Sequence, residues 1–170
     1  MDTGDLLADA FGRIRGITTK AVEGLDVDEL AARPNGTGNS IAWLVWHLTR
    51  IQDDHVAGVA GTEQVWTAAG WNQRFGLPFD DSDTGYGHSD ADVDAVRADA
   101  QLLAGYHDAV HAASLAYVRG LRAHDLDRVV DTNWDPPVTL GVRLVSVIAD
   151  DLQHAGQAAY TRGLIKDGAR

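Results

Sequence analysis

Two pairs of polar side chains in this sequence have the spacing that allows two residues to bind one metal ion. Asp150 and His154 are four residues apart, and so are His107 and His111. Side chains four apart on a helix project from one face on adjacent turns. An imidazole nitrogen and a carboxylate oxygen placed in this way can bind one divalent ion. A third ligand from another helix would still leave positions for water or substrate, as catalytic metal sites require.

The Asp150/His154 pair lies on the inner face of a predicted helix that runs from about Thr139 to Leu164. His154 and Asp151 fall within its apolar stripe, and Asp150 borders it. The stripe is made of Leu140, Leu144, Val147, Ile148 and Ala158. Aspartate and histidine rarely occupy the inner face of a helix unless they are paired or bound to something.

A second predicted helix carries a matching polar group. It is capped by Asn39 or Ser40, runs to about Ala60, and has an inward stripe of Ile41, Leu44, Leu48, Ile51 and Val59. His55 falls near the centre of this stripe. His47 lies on its flank, and Asp54, seven residues further on, shares that flank. His47 is therefore a candidate third ligand.

The residue pattern alone leaves other interpretations open. An inward histidine is most often a satisfied core residue, and an Asp–His pair can be a simple ion pair. His107 lies on the apolar stripe of Val96, Leu103 and Val110 in a predicted third helix. The His107/His111 pair is therefore as good a candidate for metal binding as the Asp150/His154 pair. His88 and His124 are predicted to lie in polar loops, exposed to solvent.

The hydrophobic periodicity predicts an all-α protein, a four-helix bundle with long irregular connections in a single domain of residues 1–170. The expected helices span residues 5–23, 26–32, 40–60, 90–122 (capped by Ser89) and 139–164. The aromatic-rich segment 61–87 is expected to be irregular and to fold over the bundle, and residues 124–137 form a long connection. No stretch shows the sustained alternation of a strand.

Composition excludes several functional classes. With 25 acidic and 14 basic residues and singly spaced arginines, the chain has no basic patch for nucleic acid. No apolar run could span a bilayer, and the acidic N-terminus does not resemble a signal peptide, so a cytoplasmic location is expected. The chain has no cysteine. Any metal must therefore be held by nitrogen and oxygen ligands.

Two runs of residues resemble a known superfamily. The run Asn39–Leu48 (NSIAWLVWHL) and the run Asp150–Gln157 (DDLQHAGQ) resemble the second and fourth helices of DinB-like proteins. The resemblance extends over nearly the whole chain in helix order and length. Within this superfamily, the two runs most resemble those of the actinobacterial mycothiol S-transferases.

This resemblance implies an up-down-down-up bundle in which His47, Asp150 and His154 bind one divalent metal ion. It also implies that His107 and His111 are not ligands. Mycothiol-dependent relatives often have glutamate where this chain has Asp150. Because the aspartate side chain is one methylene shorter, the metal is expected to lie closer to the helix or to contact Asp150 through a bridging water molecule.

The implied reaction is thiol activation. A divalent cation deprotonates a thiol that coordinates it, and the thiolate is the reactive nucleophile. The resemblance implies mycothiol as co-substrate and a small-molecule electrophile as acceptor. The donor set suits zinc, and also nickel, manganese or iron. Alternatives are another metal-dependent enzyme on the same bundle, such as an isomerase or hydrolase, or a non-catalytic stress protein with a structural metal.

Supporting roles are expected for a few further side chains. Gln157 is placed to orient a ligand or substrate, and Asp54 to accept a hydrogen bond from His47. Four tryptophans are candidates for a pocket wall: Trp43, Trp46, Trp66 and Trp134. A homodimer is expected because related bundles pair through helix faces, and the abundance of tryptophan adds a second reason.

Overall fold

The structure is a computed structural model that describes residues 1–168, which are mostly helical. Within this range the α-helices are α1 Thr3–Val22, α2 Val27–Ala31, α3 Ile41–Ala60, α4 Val65–Ala68, α5 Trp71–Phe75, α6 Asp90–Ala95, α7 Ala100–Val118 and α8 Leu140–Gly168. Strands β1 (Val129–Asp131) and β2 (Val138–Thr139) form an antiparallel hairpin. The all-α prediction is therefore confirmed, with only a trace of strand.

Contacts between residues of neighbouring helices fix the relative directions of the four long helices. The start of α1 packs on the end of α7, α3 runs alongside α7 in the same direction, and α3 opposes α8. The residue pairs that show this are Arg15–Asp108, Gly4–Val118, Thr49–His107, Val59–Tyr117, His47–His154 and Arg143–His55. The bundle is thus up-down-down-up, as the resemblance implied.

Polar caps set the starts of the helices. Asp2, Ser40 and Asp99 each accept a hydrogen bond from a backbone N–H in the first turn of the following helix. The cap at Asp99 corrects one prediction, because a continuous helix over 90–122 does not form. Residues 96–99 leave the helix between α6 and α7, since an N-cap backbone is extended and cannot continue a helix.

The connection between α3 and α7 must run back along the bundle, because these two helices point the same way. A helix of 20 residues is about 30 Å long. The connection covers the outer side of α3, so that every residue from 41 to 50 is buried. This confirms that segment 61–87 folds over the bundle, although it contains the short helices α4 and α5 rather than being wholly irregular.

Arg50 fastens this connection to α3. Its side chain is fully buried, and its guanidinium donates hydrogen bonds to the carbonyls of Asp81 and Asp83. A buried guanidinium with its donors satisfied holds the loop at a fixed height on the helix. As a result, residues 83–88 lie beside His47. No helix in the described part of the chain is long and apolar enough to cross a membrane.

Candidate metal centre

Three side chains from two helices converge on one point at the α3–α8 seam. His47, Asp150 and His154 each offer one ligand atom, and these atoms lie within 4.8 Å of one another. In the described residues no other group of three or more such side chains meets this condition. Donors around a tetrahedral ion with bonds of about 2.1 Å are about 3.4 Å apart, so small side-chain rotations would close the site.

One carboxylate oxygen of Asp150 already lies near one histidine donor. Asp150 Oδ1 is 3.6 Å from His154 Nε2, close to the edge of such a tetrahedron. Its second oxygen, Oδ2, is buried and has no hydrogen-bond partner among the described residues. A buried carboxylate oxygen without a partner is costly, and a cation would satisfy it. The donor set therefore fits a divalent ion.

The loop after α5 sets the orientation of His47. Its Nδ1 lies 2.5 Å from the Thr84 carbonyl oxygen, and because a carbonyl can only accept, Nδ1 carries the proton. This leaves Nε2 free as a ligand. The next residue is Gly85, with φ +92°, and a Cβ there would lie 2.8 Å from His47 Nδ1. Only glycine lets the loop approach the imidazole this closely.

His154 is oriented from its own helix. Its Nδ1 is 2.9 Å from Gln157 Oε1, so its Nε2 is the nitrogen that faces Asp150. This agrees with the predicted orienting role of Gln157. Both imidazoles thus have their outer nitrogen held by an oxygen acceptor, the arrangement that fixes the tautomer and raises the basicity of metal-binding histidines.

The prediction for Asp54 is wrong. Its carboxylate accepts a hydrogen bond from Gln64 Nε2 and lies 3.6 Å from His55 Nδ1, while the Thr84 carbonyl takes the place beside His47. Asp54 shares the helix flank of His47, but two turns of helix separate the two side chains. The role of Thr84 could not be predicted from the sequence. It contributes a backbone carbonyl, and every residue type has one.

His88 also differs from its prediction. Its side chain is only 7% exposed rather than solvated. It accepts a hydrogen bond from Trp43 Nε1 and contacts Asp83 Oδ1 at 3.0 Å. Trp43 in turn stacks on His47, with ring centroids 4.6 Å apart. His88 therefore holds the tryptophan that forms one wall of the site. His124 is exposed, as expected.

The other tryptophans named from the sequence have different roles. Trp46 lies against His88 and, with Trp66, is buried in the core. Trp134 is 66% exposed in the long connection before α8. Only Trp43 packs directly on a candidate metal ligand.

The other histidine pair, His107 and His111, forms no comparable site. His107 is fully buried, with Nδ1 3.1 Å from Thr49 Oγ1, and burial lowers its pKa to about 4. Neighbouring Asp108 points away to pair with Arg15 at 2.7 Å. His107 and His111 thus lack the third donor that the α3–α8 seam supplies.

The electrostatics of the converging group suit a cation. Burial lowers the pKa of His47, so this imidazole is neutral and able to donate its lone pair near pH 7. The side chains of Asp150 and His154 remain 38% and 19% exposed. Solvent therefore reaches one side of the cluster, where a further ligand could approach.

The fold and the converging histidines and aspartate define a DinB-like four-helix bundle with a candidate metal centre. The mycothiol-S-transferase family matches residues 6–167, and the chain belongs to this family. The crystal structure of a conserved protein from Enterococcus faecalis is similar to it, with a TM-score of 0.91 and 31% sequence identity over 98% of this chain and 99% of that chain. No curated protein matches the chain.

Proposed function

We propose that this protein is a metal-dependent thiol S-transferase that joins mycothiol to small electrophiles. The observation that carries the proposal is a group of three converging donors that is open to solvent on one side. Structural metal sites are closed by four protein ligands, whereas catalytic sites keep a position for water or substrate. Family membership supports mycothiol as the thiol.

Two imidazoles and one carboxylate are a typical ligand set for catalytic zinc, so we propose Zn²⁺ over Ni²⁺, Mn²⁺ or Fe²⁺. When bound, the ion supplies Lewis acidity, which lowers the pKa of a coordinated thiol and makes thiolate available near neutral pH. The chain itself has no cysteine that could compete as nucleophile or be modified by the electrophile.

The residues of the chain hold and position the reactants. Thr84 and Gln157 keep Nε2 of the two histidines directed inward, and Asp150 contributes the negative charge of the site. The thiol enters from the exposed side, beside Asp150 and His154. In the transfer, a sulfur–carbon bond forms, the bond from carbon to its leaving group breaks, and the thiol proton passes to solvent.

The test begins with elemental analysis of the purified protein, followed by a panel of thiols with a chlorinated electrophile. We expect about one zinc per chain, thioether formation when mycothiol is present, and no hydrolysis of the electrophile when water is the only nucleophile. Hydrolysis or isomerisation without thioether formation would favour the other enzyme classes. Bound metal with no turnover of any thiol would favour a structural role and contradict the proposal.

We further propose a homodimer, with a small thiol and an electrophile as the other partners. The tryptophan argument for dimerisation is weakened, because Trp43, Trp46, Trp66 and Trp71 are buried within the chain. Trp134 is the exposed tryptophan among the five. Light scattering at micromolar concentration tests the proposal, and a monomer would contradict it.

A further inference from the structure

Helix α8 has a second apolar face, which is exposed to solvent. Its buried face packs on α1 and α3. The residues of the exposed face alternate three and four apart, so they form one stripe along the whole helix. The members of this outer stripe are all exposed and are Val142, Val145, Ala149, Leu152, Gly156, Ala159 and Gly163. Tyr160 and Leu164 flank it and are 70% and 43% exposed.

The outer stripe faces away from the candidate metal centre. His154 is directed at α3, where its ring contacts the ring of His47. Leu152 and Gly156 lie two residues before and two residues after His154, so the helical repeat turns both of them about 160° away from it. The stripe is therefore separate from the metal donors and from the solvent-exposed side of their site.

The outer stripe carries no charge. Every exposed residue of α8 between positions 142 and 164 is uncharged, although 23% of the chain is charged. The exposed face of α1 is different, because Asp9, Arg13 and Lys20 lie on it. In a chain with a net charge of −11, an uncharged stripe lets a second copy approach without like charges meeting. The same net charge opposes binding to an anionic lipid surface.

The exposed area of the stripe fits a dimer interface. Its larger side chains and its flank are 40–70% exposed, which corresponds to about 500 Å² of surface, near the upper end for one apolar patch on a monomer. Two copies joined here would bury about 1,000 Å² from these side chains, the lower limit for a specific interface. The small residues between them add to this area.

Two glycines of the stripe also indicate a neighbouring helix. Apart from proline, glycine is the least favourable residue inside a helix. A Cβ at Gly156 or Gly163 would meet nothing within 4 Å, so no contact within the chain requires glycine there. Gly12 and Gly16 on α1 are equally unconstrained, but the charged side chains of that face flank them. On α8, glycine instead allows the backbone of a partner helix to approach closely.

The order of residue sizes favours an antiparallel pair of helices. Larger residues stand in the first half of the stripe and smaller ones in the second: Val142, Val145 and Leu152 precede Gly156, Ala159 and Gly163. In an antiparallel pair each larger residue meets a smaller one of the partner, so the two helices interlock along their length. In a parallel pair the valines would meet each other and the glycines would leave a gap.

We propose that the outer stripe is the interface of a homodimer, in which α8 packs antiparallel on α8 of a second copy across a two-fold axis. Such an interface is isologous, because the same surface serves both copies. The inference rests on the proposed homodimer and assigns its surface, and it is independent of the proposed reaction. Because α8 also carries Asp150 and His154, the partner helix would brace the element that holds two metal ligands.

The first experiment measures the mass of the purified protein by light scattering from micromolar concentration upward. Ala149→Glu places a charge on the stripe, and its matched control is Ala112→Glu, an exposed alanine on α7. We expect wild type and Ala112→Glu to be dimers and Ala149→Glu to be a monomer. The dimer Kd of Ala149→Glu should rise about 100-fold or more, because two unpaired carboxylates would be buried in the interface.

Three outcomes of this experiment would overturn the proposal. They are a monomeric wild type, a dimer that survives Ala149→Glu, and a dimer that Ala112→Glu removes. Circular dichroism of both variants shows whether each is folded. If Ala149→Glu does not fold, Leu152→Ser, which removes an exposed apolar side chain without adding charge, takes its place with the same expected monomer.

The second experiment tests the direction of the two helices. The chain has no cysteine, so each single-cysteine variant has one attachment point for a cross-linker. Leu152→Cys, near the middle of the stripe, should be linked to its counterpart by a short bis-maleimide. Val142→Cys should not, because its antiparallel counterpart would be about 25 Å away or more. Efficient cross-linking of Val142→Cys would overturn the antiparallel arrangement.

Metal content and thiol transfer, measured in the same Ala149→Glu and Ala112→Glu variants, separate this inference from the proposed reaction. A dimer joined through the stripe without transfer of any thiol would support the interface and contradict the transferase. Thiol transfer by a monomeric wild type would support the transferase and overturn the interface. A monomer that sediments with phosphatidylcholine vesicles would assign the stripe to a lipid surface and also overturn the interface.

Discussion

The two histidine-containing pairs of this protein have the same spacing and opposite surroundings. Asp150 and His154 on α8 meet His47 across the seam with α3, and oxygen acceptors hold the outer nitrogens of both histidines. On α7, His107 meets the hydroxyl of Thr49 and is sealed from solvent, and no third donor in the described residues joins His107 and His111. The i, i+4 spacing allows two side chains to bind one metal ion, but the facing helix decides whether a third donor completes the site.

The comparison also separates two uses of buried histidine. At the α3–α8 seam, partial exposure keeps the donors accessible, so the group can exchange ligands. On α7, burial holds His107 neutral and places it among the polar side chains of the core. Each use predicts a different response to mutation and pH.

The largest effect is expected from His154→Ala. Losing one of three ligands should lower metal affinity by more than the ~100-fold upper range for outer-shell partners, and thiol transfer with it. Most helicity should remain, because the apolar stripes of the four long helices supply most of the stability. Elemental analysis, a transfer assay and circular dichroism measure these three quantities.

The matched change is His107→Ala, which should leave the metal bound. If His107→Ala removes the metal and His154→Ala retains it, the assignment of the two pairs is reversed. If neither variant changes metal content, the histidines of both pairs are core residues and thiol activation loses its physical basis.

The next effect concerns the pH dependence of folding. His107 has a folded pKa of about 4 and an ordinary value of 6.5, so between these values the unfolded chain binds the proton and the folded protein does not. Stability should therefore fall as the pH falls through this window, by about 3 kcal/mol from this residue alone. Denaturant unfolding at pH 7 and pH 4 measures the difference.

His107→Gln should remove this part of the pH dependence. The control is His124→Gln, at a side chain that is 77% exposed, which should leave the slope as it is. An identical slope in wild type and His107→Gln would mean that His107 is not sealed in the core.

A smaller effect tests the loop that orients His47. Gly85 and Gly87 both have positive φ, but a Cβ would meet His47 and Trp46 only at Gly85. Gly87→Ala should cost only the backbone strain, about 1 kcal/mol. Gly85→Ala should cost about 1–3 kcal/mol more and should also weaken metal binding. Equal losses of stability and unchanged metal affinity in both variants would place the loop away from His47.

The smallest effect tests the orientation of His154. Gln157→Leu removes the acceptor for Nδ1 and should weaken metal binding about 10-fold, the lower range for outer-shell partners. Gln153→Leu on the same helix is the control, because Gln153 bonds only the Ala149 carbonyl of its own helix. Competition with a metal chelator measures both affinities, and equal values would show that Gln157 is not needed to position His154.

The sequence by itself predicted the four long helices, apart from the break before Asp99, and placed candidate metal ligands on three of them. Apolar spacing is local information, and it placed His47, Asp150 and His154 on inner or flanking faces before any packing was known. Composition removed cysteine from the possible ligands. The choice between the two pairs, however, came from the family resemblance, because equal spacing gave both the same geometry.

Tertiary structure alone decided what surrounds the metal donors. The position of Thr84 and Gly85 beside His47 and the burial of His88 both depend on the connection that runs back along α3. These contacts join residues about 40 positions apart, and one of them uses a backbone carbonyl. Helical periodicity extends only over neighbouring turns, so it can place a side chain on a face but cannot identify what that face meets.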